Sequence, residues 1–152
     1  MTENPFQQLI NEQRELEERA AELEASMGMF QDTLGSYMAG LGVIEELETK
    51  EPGEKMLINV GGAIFIEAQV TSNDRVIRGI GSGVRVEQSL DEAKKILSER
   101  IEEIKGHLTG IRQEYENTAG RAAFLANQAQ QILAQAQAAQ NAQLAQQSEP
   151  EE

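Results

Sequence analysis

The chain is 152 residues long with a formal net charge of −13, and aromatic residues make up only 4% of it. That length bounds it to one domain, and so few large rings leave little material for a compact globular core. The acidity excludes nucleic acid as the main partner, because phosphate binding needs clustered Lys and Arg.

The charge is unevenly spread. Residues 1–53 carry 12 acids and 3 bases, residues 54–88 carry 4 of each, and residues 89–152 carry 10 acids and 6 bases. Two acidic flanks enclose a neutral middle, and they repel each other unless an apolar contact holds them together. There are no cysteines, which excludes disulfides and thiolate metal sites. Met1-Thr2-Glu3-Asn4 has no basic region followed by an apolar run, so no signal peptide is expected. No run of about 18 apolar residues exists to span a bilayer. The sequence predicts a soluble, cytoplasmic protein with no membrane partner.

A first helix is predicted over residues 4–50. Asn4 is a favoured N-cap, and Pro5 suits the first helical position, where its missing N–H is no loss. Apolar residues then recur at alternating spacings of three and four. One seam position reads Phe6, Gln13, Ala20, Met27, Leu34 and Leu41, and the other reads Leu9, Leu16, Leu23, Phe30, Tyr37 and Ile44. Six heptads with one polar exception, Gln13, predict a coiled coil. Lys50-Glu51-Pro52-Gly53 ends it.

Residues 54–88 change character. Met56–Val60, Ala63–Val70, Arg75–Ile80 and Val84–Glu87 are short β-branched runs, separated by Gly61-Gly62, Thr71–Asp74 and Gly81-Ser82-Gly83. They predict two successive β-hairpins. Hairpins of this size are marginal alone in water, so their apolar residues need strands from other chains. Ile58, Val60, Ile64, Ile66, Val70, Val76, Ile80, Val84 and Val86 are the expected oligomerisation residues.

A second helix is predicted over 89–147, opened by a capping box in which Ser89 and Glu92 satisfy each other's backbone donors. Its seam runs Leu90, Leu97, Ile104, Ile111, Thr118, Leu125, Ile132 and Ala139 on one position. Ile101, Leu108, Tyr115, Ala122, Ala129 and Ala136 take the other. The short connection returns it antiparallel to the first, with Leu16 expected opposite Ala122, Leu23 opposite Tyr115 and Phe30 opposite Leu108. Several of these pairs match large to small, as a constant interhelix distance requires. An acidic, disordered tail is expected at 148–152.

Nothing in the sequence carries chemistry. Gly79-Ile80-Gly81-Ser82-Gly83 fails the dinucleotide pattern because Val84 breaks it, and no Gly-Lys-Ser/Thr follows. It reads as a strand turn or bulge. The single histidine, His107, has no Cys or second His with which to hold zinc or to activate a nucleophile, and reads as a solvated helix residue. The carboxylates read as solvated helix faces. No enzyme activity, cofactor or metal is expected. Glycines within the helices lie off the seam, either as tolerated surface drift, as points of bending, or as places where another backbone can come close.

Residues 122–148 carry no charge, and 11 of those 27 are Asn or Gln. Phe124, Leu125, Ile132, Leu133 and Leu144 fall there, at the same end of the hairpin as Phe6, Leu9 and Ile10. Such moderately apolar, uncharged tips suit weak binding of many partners.

The order helix, two hairpins, helix resembles the α-class subunit of prefoldin from about Asn4 to Gln147. The most specific part is Gly61-Gly62-Ala63-Ile64-Phe65-Ile66-Glu67-Ala68, then Val76, then Gly79–Glu87, then Ala93. Val84 stands where an aromatic is common in that family, and Asn59 near a frequent proline. The resemblance implies an α+β fold: a long antiparallel coiled coil whose two central hairpins join a multi-subunit β-barrel platform. It implies two copies of this chain with four β-class subunits, and non-native proteins captured between arm tips without ATP. Delivery to a group II chaperonin would follow. A structural filament or scaffold, built by repeated pairing of the same head strands, is the alternative.

Overall fold

The computed structural model describes residues 4–147, so the tail expected to be disordered at 148–152 lies outside the described residues. Two helices, α1 (Pro5–Glu48) and α2 (Leu90–Gln147), enclose four strands, β1 (Lys55–Gly61), β2 (Ile64–Gln69), β3 (Arg75–Gly81) and β4 (Val84–Ser89). This is the α+β arrangement that the periodicities predict.

The helix ends follow local chemistry. Asn4 Oδ1 accepts from Phe6 N at 3.1 Å, closing the α1 N-terminus. At the other end Thr49 and Lys50 donate to Glu46 and Leu47 carbonyls at 3.0 and 3.1 Å, and Gly53 turns the chain at φ 96°. Ser89 Oγ accepts from Glu92 N at 3.2 Å at the start of α2. Only this forward half of the capping box is formed among the described residues. Ser89 is also the last residue of β4, paired with Arg75, so strand end and N-cap coincide.

Contacts divide the chain into two compact units, one joining the segments up to Met27 and from Gly110 onward, the other Gly28–Thr109. In the first, Ala20 and Leu23 of α1 are buried, as are Ala122, Leu125 and Ala129 of α2. Arg19 bridges to Glu114 at 2.8 Å, and Arg121 pairs with Glu12. Rising numbers on α1 meet falling numbers on α2, so the pairing is antiparallel. The hydrogen bond to Glu114, then that to Glu22, raises the Arg19 pKa above its ordinary value. These pairs are exposed and add little stability; burial of the seam does more.

In the second unit Leu90, Ala93, Ile101, Ile104 and Leu108 are buried on α2, with Met56 and Val70 at the base of the first hairpin. Phe30 stacks on His107 with centroids 5.7 Å apart, one residue from the Leu108 expected opposite it. Lys94 reaches Glu48 at 2.8 Å, and that hydrogen bond raises the lysine pKa. Asn73 Nδ2 donates to the Lys50 carbonyl at 2.8 Å, tying the loop between the hairpins to the end of α1.

Gly28, Gly35 and Gly42 recur every seven residues on α1, and a methyl built on each meets no atom within 4 Å. Glycine in a helix interior costs about 1 kcal/mol relative to Ala. The triple Ala variant should therefore raise the urea midpoint, by an equivalent of about 2–3 kcal/mol. An unchanged midpoint would mean that these positions are not helical in solution. Should the stiffened protein also protect denatured proteins less well, the glycines serve bending.

Candidate functional site

The head consists of two separate two-stranded sheets, β1–β2 and β3–β4, and the two do not pair with each other. Four strand edges therefore stay open. Each hairpin closes in the same way. Gly62 and Ala63 both have positive φ (59° and 58°), as do Ser82 and Gly83 (50° and 76°), which is the type I′ geometry that matches strand twist. A register break precedes each turn, between Asn59 and Gly61 and between Gly79 and Gly81. Gly61 and Gly81 sit there at φ 103° and 108°, where a Cβ would be strained. The glycine cluster is thus a bulge and turn, as read from the sequence.

Side chains at paired positions share a face. On β1–β2 one face carries Met56, Ile58, Ile66 and Ala68, with Val60 in the bulge and Ile64 beyond it. Burial falls along it: Met56 is buried and Ile58 half-buried, whereas Ile66, Val60 and Ile64 are exposed. The second hairpin repeats the trend, with Val76 and Val86 half-buried and Ile80 and Val84 exposed. Val70 departs from the expected oligomerisation set. It follows β2 at the base of the hairpin, where its amide donates to the Glu54 carbonyl at 2.8 Å, and at 6% exposed it has no surface to offer another chain.

The opposite faces hold residues that alternation alone assigns to solvent. Leu57 and Phe65 stand beside Lys55 and Glu67, and Ile77 beside Arg75 and Glu87, yet all three are large, apolar and exposed. Their size on a nominally polar face is the signal that sequence reasoning passed over: strands covered on both faces read as nearly continuous apolar runs. Eight exposed large apolar side chains lie between Leu57 and Val84, far more than scattered surface residues would give.

Large apolar side chains are exposed in the other unit as well. Phe124, Ile132, Leu133 and Leu144 are exposed, and Phe6, Leu9 and Ile10 are half-buried on α1. Leu125 does not belong with them. It is 8% exposed, because its place three and four residues from Ala122 and Ala129 puts it in the seam. Among the described residues, the other large exposed apolar side chains are Met29 and Met38 on α1.

Among the described residues no group of three His, Cys, Asp or Glu is placed to hold a metal ion, and no helix is long and apolar enough to cross a membrane. His107 is exposed, as expected, but its ring also covers Phe30, a contact the sequence did not reveal.

Comparison with known proteins places this geometry. The family model described as prefoldin subunit matches residues 16–142. A prefoldin subunit alpha of Methanothrix thermoacetophila is 31% identical over 98 residues, covering 64% of each chain, so this chain spans just under two thirds of that relative's length. The prefoldin subunit alpha of Archaeoglobus fulgidus is 28% identical over 136 residues, or 90% of this chain and 89% of that one. Among solved structures, a filamentous prefoldin (PFD) from Methanocaldococcus jannaschii superimposes with a TM-score of 0.60. It is 20% identical, and the match covers 78% of this chain and 98% of that one.

Proposed function

Because the chain belongs to the prefoldin family, as an α-class chaperone subunit and not an enzyme, we propose that it captures non-native proteins between coiled-coil arm tips and delivers them, without ATP, to a group II chaperonin. Two copies assemble with four β-class subunits through the hairpins, in the cytoplasm. The observation that carries this reading is that two segments of one chain expose large apolar side chains, the strands between Leu57 and Val84 and the helix residues from Phe124 to Leu144. The first needs other strands, since an isolated hairpin is marginal in water. The second is uncharged, so contact with an unfolded chain desolvates no ion. Each tip contact is weak, and several arms acting on one client raise the effective concentration.

The test mixes this chain with a β-class prefoldin subunit, sizes the product, and follows light scattering from a chemically denatured protein without nucleotide. A closed hexamer that suppresses scattering is the expected result. An assembled particle that leaves scattering unchanged would refute the client-holding role.

The filament reading has its own support in the four open strand edges and in the filamentous state of the solved neighbour from Methanocaldococcus jannaschii. Head pairing that fails to close produces open assemblies. A ladder of ever larger species from this chain alone would favour it over the hexamer.

A further inference from the structure

The two hairpins are structural copies set twenty residues apart. Lys55 pairs with Gln69 as Arg75 pairs with Ser89, and the register breaks after Asn59 as it does after Gly79. The ion pair Lys55–Glu67, at 2.7 Å, recurs as Arg75–Glu87 at 3.2 Å. The amide of Val70 donates to Glu54 and that of Leu90 to Asp74, both at 2.8 Å. Val70 and Leu90 are both buried. Two copies of one unit would offer a neighbour the same surface, except where their side chains differ.

They differ in charge. Where the first copy has Ile58, Phe65 and Ala68, the second has Arg78, Arg85 and Gln88. Arg78 is half-buried, and its Nε donates to Gln88 Oε1 at 2.8 Å rather than to a carboxylate. Arg85 lies on the other face, paired with Gly79, and makes no ion pair among the described residues. The four strands of this chain contain only two acids, Glu67 and Glu87, and each already holds a base of its own hairpin. The strands of a second copy of this chain therefore bring no spare carboxylate to Arg78 or Arg85. If its own second hairpin docks there, it brings two more guanidiniums, and like charges directly opposite in a sheet are destabilising.

We propose that the β3–β4 hairpin docks a strand from a different polypeptide, one that carries carboxylates with no basic partner of their own, and that Arg78 and Arg85 select it against a second copy of this chain. The β1–β2 hairpin, apolar at the matching positions, lacks this selectivity. The proposal rests on the reading that the head is the assembly surface, and it adds which hairpin discriminates and by what chemistry.

The probe is the full-length chain made acidic at these sites, R78E/R85E, tagged and mixed with the untagged wild type, with association read by native mass spectrometry and sedimentation. The mixed pair should bind at least ~10-fold more tightly than either protein binds itself, from two cross-strand charge pairs. High salt should remove that difference. The neutral variant R78Q/R85Q, with helical circular dichroism as the folding control, should self-associate more strongly than wild type because the repulsion is gone. Equal strength in all pairings, or no gain for R78Q/R85Q, overturns the proposal. The I66D/I80D variant distinguishes the two possible failures. If it abolishes association while the charge variants change nothing, the head is the interface but Arg78 and Arg85 do not select. If it too changes nothing, the head reading itself falls, and the proposal with it.

Discussion

Replacing Ile66 and Ile80 together with Asp should abolish the oligomer while leaving the helical circular dichroism nearly intact. Both side chains are about half exposed in the single chain, at 48% and 51%, so the change costs little inside the subunit. In an assembly that covers the outer half of each hairpin, each carboxylate would be buried without a partner, at a cost of several kcal/mol. Two such sites weaken association by about a thousandfold or more. The helical signal comes from the 44 residues of α1 and the 58 of α2, which the hairpins leave untouched. Light scattering coupled to size exclusion reads the outcome directly. A particle of unchanged mass would remove the head from the interface.

Deleting residues 1–10 together with 133–152 should leave assembly in place and reduce aggregation suppression severalfold. The cut removes Phe6, Leu9, Ile10, Leu133 and Leu144 but spares the buried seam of Ala20, Leu23, Ala122, Leu125 and Ala129. Because capture depends on several weak contacts acting together, losing part of each tip lowers avidity more than it lowers any single contact. Leu133→Ser with Leu144→Ser should give a smaller loss in the same direction, since both are about half exposed. Leu125→Ser should behave differently. Its side chain is buried, so it should lower unfolding stability by about 2–4 kcal/mol with no specific effect on holding clients. A truncated particle that protects as well as the full chain would make the tips ordinary helix ends, and the binding surface would then lie elsewhere on the helices or the head.

Much of this was legible in the sequence because it depends on local periodicity. The three–four spacing from Leu90 to Ala129 announced α2, and most of its buried residues lie on those positions. Pro52-Gly53 and Asn4-Pro5 marked the ends of α1 through backbone constraints that need no tertiary context. The strands and their two turns were equally plain, since Gly61, Gly62, Gly81 and Gly83 supply most of the positive φ values there. What periodicity cannot give is how far a stripe is covered. Leu125 and Ile132 occupy the same seam position, yet the first is 8% exposed and the second 41%. In the head, alternation sorted Leu57, Phe65 and Ile77 to the polar side, and only their exposure beside charged neighbours showed that this side is apolar as well. The Phe30–His107 stack was invisible, because a solvated histidine and one lying on a ring have the same spacing.

The twenty-residue copy in the head also has a consequence at the level of the gene. Val70 and Leu90 hold matching backbone bonds, and Leu90 is the first residue of α2. Loss of the codons for residues 71–90 would stay in frame and put Val70, a similar apolar residue, directly before Asp91. The amide that Glu54 already binds would then open the second helix, with every other turn of both helices unaltered. A chain with one hairpin would thus keep the backbone bond on which its second helix starts.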